Sequence, residues 1–224
     1  HNAKELRGEA LALNSLCLIQ IQNEEYEQAE RTGNRAILIF QDIGDRLSEG
    51  IALGHLAQIH RDTGRFKEAQ RLYSQAIQIH REVNNQIFEA CHLIQMVCLQ
   101  RLTKRNISHL LDVLYHSETI LRTARSRYVL FSICERGHFA LLNHQSAQEE
   151  LSSAYQIALA LDLDPLARSE IGLSLRRLQA AQKAFNAGGV LFRGEDLSAL
   201  PTPLRHCLME EKRKETDHPL TASP

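Results

Sequence analysis

The chain has 224 residues, a formal net charge of −1 and a hydrophobic content of 43%, which is enough for one domain or one repeat array with a real core. This charge balance argues against a dedicated binder of nucleic acid or of a membrane surface, because such proteins usually carry a basic excess. No apolar run reaches about 18 residues, so no transmembrane helix is predicted. Aromatic residues make up 5% and Trp is absent, so the core must be built from Leu, Ile and Ala, which favours helices.

The first eighty residues repeat with a period of 40. Small and apolar residues recur at this spacing, and these are the positions that a packed repeat must keep constant. Each unit has two stripes of apolar residues with a period near 3.6, which predicts a pair of helices. The recurring pairs are Ala12 and Ala52, Leu13 and Leu53, Leu16 and Leu56, Ile19 and Ile59, Ala29 and Ala69, Ala36 and Ala76, and Ile37 and Ile77.

Four such helical hairpins are predicted in chain order. They cover about residues 5–45, 46–85, 86–125 and 126–163, and the later two follow the pattern less closely. The joints between hairpins repeat as well. Gly44 can take the left-handed conformation that ends a helix and Asp45 can cap the next helix, and one period later Asn84 and Asn85 offer the same chemistry. In each hairpin, small residues such as Ala69 and Ala76 let the two helices approach closely, and Tyr73 fills the gap between hairpins.

A long amphipathic helix is predicted over 164–186, with Leu175 and Leu178 on its apolar side. It would cover the open end of the last hairpin, as a terminal repeat requires. Its basic residues Arg176, Arg177 and Lys183 are expected to form a solvated face.

Residues 187–224 form a tail that begins after a Gly-Gly pair. A short helix is predicted over 203–214, with Leu204, Cys207 and Leu208 placed to pack back on the array. Two interpretations stay open: a disordered end with one docked helix, or a segment that fills a groove, its own or that of a neighbouring molecule. Disorder is expected beyond about residue 215.

Catalytic and metal-binding motifs are not found. The sequence has no phosphate-cradling loop, no HExxH zinc motif and no nucleophile elbow. Its 11 His lack the i,i+4 pair with a third ligand that a zinc site would want, so no metal, cofactor or catalytic residue is predicted and the chain is not expected to be an enzyme. The five Cys are odd in number and include no CxxC pair, so reduced, buried thiols in a cytoplasmic protein are expected.

The second unit resembles the tetratricopeptide repeat. It has the family pattern in order, namely Leu56 with Ala57, then Gly64, Phe66, Ala69, Tyr73 and Ala76. The 40-residue length is similar to the longer-helix subclass found in kinesin light chains, spindle-orientation adaptors and bacterial signalling proteins. The resemblance covers about residues 5–186. It implies an all-α fold, a right-handed superhelical solenoid of about four hairpins plus a C-terminal capping helix.

The resemblance also implies a concave groove lined by the first helix of each hairpin, which holds a peptide or a helix of a partner protein. Amide and guanidinium groups would hold backbone groups or carboxylates, and apolar residues would add affinity. For Leu11, Ile51 and Cys91 an alternative stays open, in which they face neighbouring helices. The expected partner-binding positions are Asn14, Leu18, Gln22, His55, Gln58, Arg61, Asp62, Ile94, Cys98 and Arg101.

Two functions are therefore considered. The first is a non-catalytic protein-interaction module within a larger bacterial signalling or regulatory protein. The alternative is a homo-oligomerising scaffold whose C-terminal tail closes a dimer or the groove. Neither involves nucleic acid or a membrane.

Overall fold

Ten α-helices and one turn of 3-10 helix at Leu197–Ala199 make up the described part of the chain in a computed structural model. The structure describes residues 3–103, 110–163 and 169–217. Within these ranges no strand occurs beyond an isolated bridge between Phe192 and Glu195, so the all-α prediction is confirmed. The helices are α1 (Ala3–Gln22), α2 (Tyr26–Asp42), α3 (Arg46–Asp62), α4 (Phe66–Glu82), α5 (Gln86–Thr103), α6 (Leu110–Thr123), α7 (Val129–Leu142), α8 (Gln148–Ala160), α9 (Glu170–Asn186) and α10 (Thr202–Asp217).

The turns explain the period of the sequence. Left-handed residues occur every twenty positions, at Glu24, Gly44, Gly64 and Asn84. After each, the next amide donates to the carbonyl five residues back, as from Asp45 to Phe40 at 2.9 Å. This closure ends a helix and reverses the chain. One helix plus its turn therefore takes twenty residues, and a hairpin takes forty.

Two predicted caps are confirmed. The Asp45 side chain accepts a hydrogen bond from the Ser48 amide at 3.1 Å and begins α3. The Asn85 side chain does the same for the Phe88 amide at 3.1 Å, at the start of α5. Such a cap satisfies an amide that has no partner within the helix.

The helices form two layers. From α1 to α9 each helix packs on the next along the chain, and the odd-numbered helices α1, α3, α5, α7 and α9 also pack on one another in sequence. Because elements on the inside of a curved array lie closer together, the odd helices form the inner, concave wall. Helices α2, α4, α6 and α8 lie on the outer side, and α10 packs back on the inner helices α3 and α5. This sequential packing is that of a solenoid.

Buried side chains fall into three clusters. One runs through α1–α4 and includes Ala69, Tyr73 and Ala76, which are at most 1% exposed. A second runs through α5–α9. A third joins the end of α5 to the C-terminal tail. The tail is therefore part of the folded unit and shares a core with the array.

The C-terminal elements differ in extent from the predicted ones. The described part of the terminal helix, α9, begins at Glu170, after Ser169 caps it by accepting from the Gly172 amide at 3.1 Å. Residues 164–168, where the predicted helix starts, lie outside the described residues. Helix α10 is longer than the predicted 203–214 and is still helical at 215–217. The disorder expected beyond 215 otherwise concerns 218–224, which also lie outside the described residues.

Candidate partner-binding groove

The ten expected partner-binding residues all lie on the inner helices α1, α3 and α5. The structure divides them into two groups. Asn14, Leu18, Gln22 and His55 are half-buried and border solvent. The other six are buried: Gln58, Arg61, Asp62, Ile94, Cys98 and Arg101.

In the first group, His55 and Asn14 are hydrogen-bonded across neighbouring hairpins. The His55 Nδ1 atom lies 2.9 Å from the Asn14 Oδ1 atom. Burial lowers the pKa of His55 to about 4, so its ring is neutral at neutral pH. Because the Asn14 oxygen accepts, Nδ1 carries the proton and Nε2 is an acceptor. The pair joins α1 to α3 and adds a neutral polar group to the wall.

The Arg61 guanidinium is enclosed by protein groups. It donates to Asp62 at 2.9 Å and to the Gln95 side-chain oxygen at 2.7 Å. Burial by itself lowers the pKa of Arg61, but the Asp62 carboxylate raises that pKa well above its ordinary value. Arg61 is therefore a charged residue inside the fold, and its donors point to internal acceptors.

Helix α9 lies over this part of the wall. The Arg177 guanidinium is 3.8 Å from the Asp62 carboxylate, and its side chain is mostly buried. The expectation of a solvated face is therefore wrong for Arg177, because α9 turns this residue toward the inner wall. Lys183 is exposed, as expected. A cavity of about 30 Å³ between α9 and the buried residues Gln58, Arg61 and Cys98 is too small for a partner's side chain.

Arg101 is the centre of a buried ionic cluster. Its side chain is 0% exposed and donates to the Glu135 carboxylate at 2.9 Å and the Glu195 carboxylate at 2.7 Å. It also donates to the carbonyl oxygen of Arg193 at 2.6 Å. His138 donates from Nδ1 to the carbonyl oxygen of Gly194 at 2.8 Å. The inner wall and the tail thus share one hydrogen-bonded network.

The charged groups of this cluster stabilise one another in their ionised forms. Burial alone raises the pKa of both carboxyl groups, but Arg101 and His138 lower the pKa of Glu135 and of Glu195 below the ordinary value. Burial lowers the pKa of Arg101, and the two carboxylates raise it by more. All three groups are therefore ionised at neutral pH although none faces open solvent.

Apolar residues of the tail cover the end of α5. Phe192, Leu204 and Leu208 form a cluster with Cys98 and Leu102. A side chain at Gly64 would overlap the sulfur of Cys207, so α10 also touches the turn between α3 and α4. Cys98 and Leu102 thus contact this chain's own tail.

A pocket lies beside the half-buried group. It has a volume of about 320 Å³ and lies between the C-terminal end of α1, α3, α9 and the segment before α10. Gln22, Gln58 and Asp62 line one side, and Arg176 and Arg177 line the other. Burial, together with the Asp62 charge, raises the pKa of the neighbouring Tyr26. The pocket offers hydrogen-bond donors and acceptors of both charge signs.

Sequence reasoning did not find Glu135, His138, Arg193 or Glu195. The repeat contains a signal for Glu135, because Glu135 stands one period after Gln95, as Arg101 stands one period after Arg61. In the structure, Arg61 bonds Gln95 and Arg101 bonds Glu135. The contacts of Arg193 and Glu195 had no such signal, because the tail lies outside the repeat.

The described residues give little support for a metal site or a membrane-spanning helix. Within the ranges that the structure covers, no cluster of three His, Cys, Asp or Glu side chains could hold a metal ion. None of the helices in those ranges is long and apolar enough to cross a membrane. The Cys residues are free thiols, and all but Cys207 are buried.

Comparison with known proteins identifies a family that is similar to the first part of the chain. A family model for the tetratricopeptide repeat matches residues 8–82, which span almost all of α1–α4. No curated protein matches the chain. Tetratricopeptide repeats generally mediate protein–protein interactions. The matched residues and the sequential packing of the following helices together support a tetratricopeptide repeat array.

Proposed function

We propose that this chain is a non-catalytic interaction module that binds an extended peptide of a partner protein on the open part of its concave wall. The open part consists of Asn14, Leu18, Gln22 and His55 with the pocket of about 320 Å³ beside them. The observation that carries the proposal is this division of the wall: α1 and the adjoining edge of α3 border solvent, while α9 and the tail cover the rest.

The chemistry of the open part favours a peptide backbone as ligand. Asn14 and Gln22 carry amides, which offer both a donor and an acceptor, and neutral His55 adds an acceptor. These groups can pair with the N–H and C=O groups of an extended chain, and Leu18 supplies apolar contact. The pocket beside Gln22 can take one side chain of that peptide.

The module is proposed to work in the cytoplasm, within a larger bacterial signalling or regulatory protein. The free thiols favour a reducing compartment. The alternative is a scaffold whose tail closes the groove. The contacts of Arg193 and Glu195 with α5 favour a tail that closes its own groove over one that reaches a second molecule.

The test is capture of partners from the cells that make the protein, followed by mass spectrometry. We expect the double variant Leu18→Ala, Gln22→Ala to lose at least one partner that the unmodified chain captures, with an unchanged melting temperature. Gln28→Ala, at an exposed position on α2, is the matched control and should keep it. If every partner remains bound to the double variant, the open part of the wall is not the binding site.

A further inference from the structure

The segment that follows α9 docks on the concave wall through a tight turn. The amide nitrogen of Phe192 lies 3.0 Å from the carbonyl oxygen of Glu195, and the reverse pair is also 3.0 Å apart. The two residues between them, Arg193 and Gly194, have φ angles of 52° and 79°. Two consecutive left-handed residues closed in this way form a two-residue hairpin turn. The tail therefore presents a compact, fixed shape to the array.

Side chains of α5 and α7 bind this turn in the way that a groove binds a peptide. Arg101 donates to the Arg193 carbonyl oxygen at 2.6 Å and to the Glu195 carboxylate at 2.7 Å. His138 donates to the Gly194 carbonyl oxygen at 2.8 Å. The wall thus binds two backbone carbonyls and one carboxylate, which a segment of another protein can also offer.

The fit of the turn is closest at Gly194. A Cβ at this position would overlap the carbonyl oxygen of His138, and the left-handed φ also favours glycine. Gly194→Val should therefore remove the turn from the wall, and it changes no residue of α1–α9.

The array has its own core without the tail. All buried residues of the two large clusters precede residue 187, and the tail forms a separate cluster with Cys98 and Leu102. Residues 187–190, which join α9 to the turn, are exposed and include two glycines, which add backbone freedom. Release of the tail would therefore leave the buried residues of both large clusters in place.

Arg101 also keeps a counter-charge when the tail is released. Its guanidinium donates to both carboxylate oxygens of Glu135, at 2.9 Å and 3.3 Å. Both residues belong to the array, so they stay paired while Glu195 moves into water. Release therefore leaves no buried charge without its partner, and such a charge would have made release costly.

We propose that the wall formed by α5 and α7 is a second ligand site, separate from the open part of the wall, and that residues 191–217 are its internal ligand. A partner segment that presents a tight turn followed by a carboxylate displaces the tail and binds Arg101 and His138 in its place. Without that partner the site is closed, because the tethered tail acts at an effective concentration of roughly millimolar.

A fluorescently labelled synthetic peptide of residues 190–217 is the probe that tests the proposal. We expect it to bind the full chain with Gly194→Val at least about tenfold more tightly than the unmodified chain, because the variant's own tail no longer competes. A peptide with Glu195→Gln should bind that variant at least about tenfold more weakly. A peptide with Glu210→Gln, the same change at an exposed position, is the matched control and should bind like the unmodified peptide. Fluorescence anisotropy measures these affinities.

Circular dichroism should show that the Gly194→Val chain keeps α1–α9 folded. A peptide that does not bind this variant, or Glu195→Gln and Glu210→Gln peptides that bind it equally, would overturn the proposal. Unfolding of the Gly194→Val chain would overturn it as well, because the tail would then be a necessary part of the array's core.

Amide hydrogen exchange of the unmodified chain gives a second test. The amides of Phe192, Glu195 and α10 should exchange together, at least about tenfold faster than those of α7, because the tail opens as a unit while the array stays folded. Equal protection of the tail and α7 would contradict a tail that leaves the folded array.

Discussion

Arg61 and Arg101 stand one period apart on the inner wall, and each bonds a residue 34 positions further along the chain. The acceptor is the neutral Gln95 in one case and the charged Glu135 in the other. Around Arg101 the wall is closed, because the tail adds a second carboxylate, Glu195. Arg61 is also buried, but the segment over it is α9, whose Arg177 lies 3.8 Å from Asp62.

The comparison shows that equivalent positions of one repeat pattern can hold an arginine in two different environments. The helices and turns are equivalent in the two places, and the arginines point in equivalent directions. What differs is the segment that lies over them. At Arg101 the tail supplies a carboxylate and apolar residues, and at Arg61 helix α9 covers the wall. Of the ten expected residues, only Asn14, Leu18, Gln22 and His55 border solvent.

The largest expected effect is the loss of Arg101. Arg101→Ala leaves Glu135 and Glu195 buried without their counter-charge, which should lower the free energy of unfolding by about 3–5 kcal/mol. Urea unfolding measures this value. Arg61→Ala should cost less, about 2 kcal/mol, because one of its acceptors is neutral and Arg177 stays 3.8 Å from Asp62.

The surface variant Arg35→Ala is the control for both substitutions. Arg35 pairs with Glu9 on the exposed surface, and its loss should change the free energy of unfolding by less than about 1 kcal/mol. Equal losses for Arg101→Ala and Arg61→Ala would contradict the contrast between the two arginine environments.

The second prediction concerns pH. His80 stacks on His92 with ring centres 5.0 Å apart, and burial lowers the pKa of His80 to about 4. The unfolded chain binds a proton at this residue below about pH 6.5 and the folded chain does not, so stability is lost as the pH falls from about 6.5 toward 4. At pH 5 this one residue should account for about 2 kcal/mol.

Urea unfolding of the unmodified chain and of His80→Phe at pH 7 and pH 5 isolates this contribution. The variant keeps a ring of similar size but cannot bind the proton, so its loss of stability between the two values should be smaller. The Glu135 and Glu195 carboxylates should stay ionised in this range, because their pKa values are lowered. An unchanged pH dependence in His80→Phe would rule out the buried histidine as its source.

The smallest effect separates two glycines of the inner helices. A Cβ at Gly54 would overlap the ring of His92, so Gly54→Ala should destabilise the fold by about 1–2 kcal/mol through overpacking. Gly8→Ala meets no atom within 4 Å and should stabilise the fold by about 0.5–1 kcal/mol, because Ala favours the helix. Thermal unfolding in dilute solution compares the two, and equal shifts would show that the inner wall is not tightly packed at Gly54.

Local features of the sequence were sufficient for the helices and turns. The left-handed residues Gly44 and Asn84 and the caps Asp45 and Asn85 act on backbone groups a few residues away, so their effect can be read without knowing the rest of the fold. The repeat itself then placed Asn14, Gln58 and Arg101 on the inner helices, because equivalent positions in stacked hairpins face the same side.

Which of those inner residues stay accessible depends on contacts between distant parts of the chain. Arg101 is buried because Glu195 and the carbonyl of Arg193, more than ninety residues later, lie against it. Arg177 turns inward because α9 packs on α7 across the wall. Such contacts depend on where a non-repeated segment comes to rest, and that is set by the summed packing and charge of the whole molecule, which no local pattern carries.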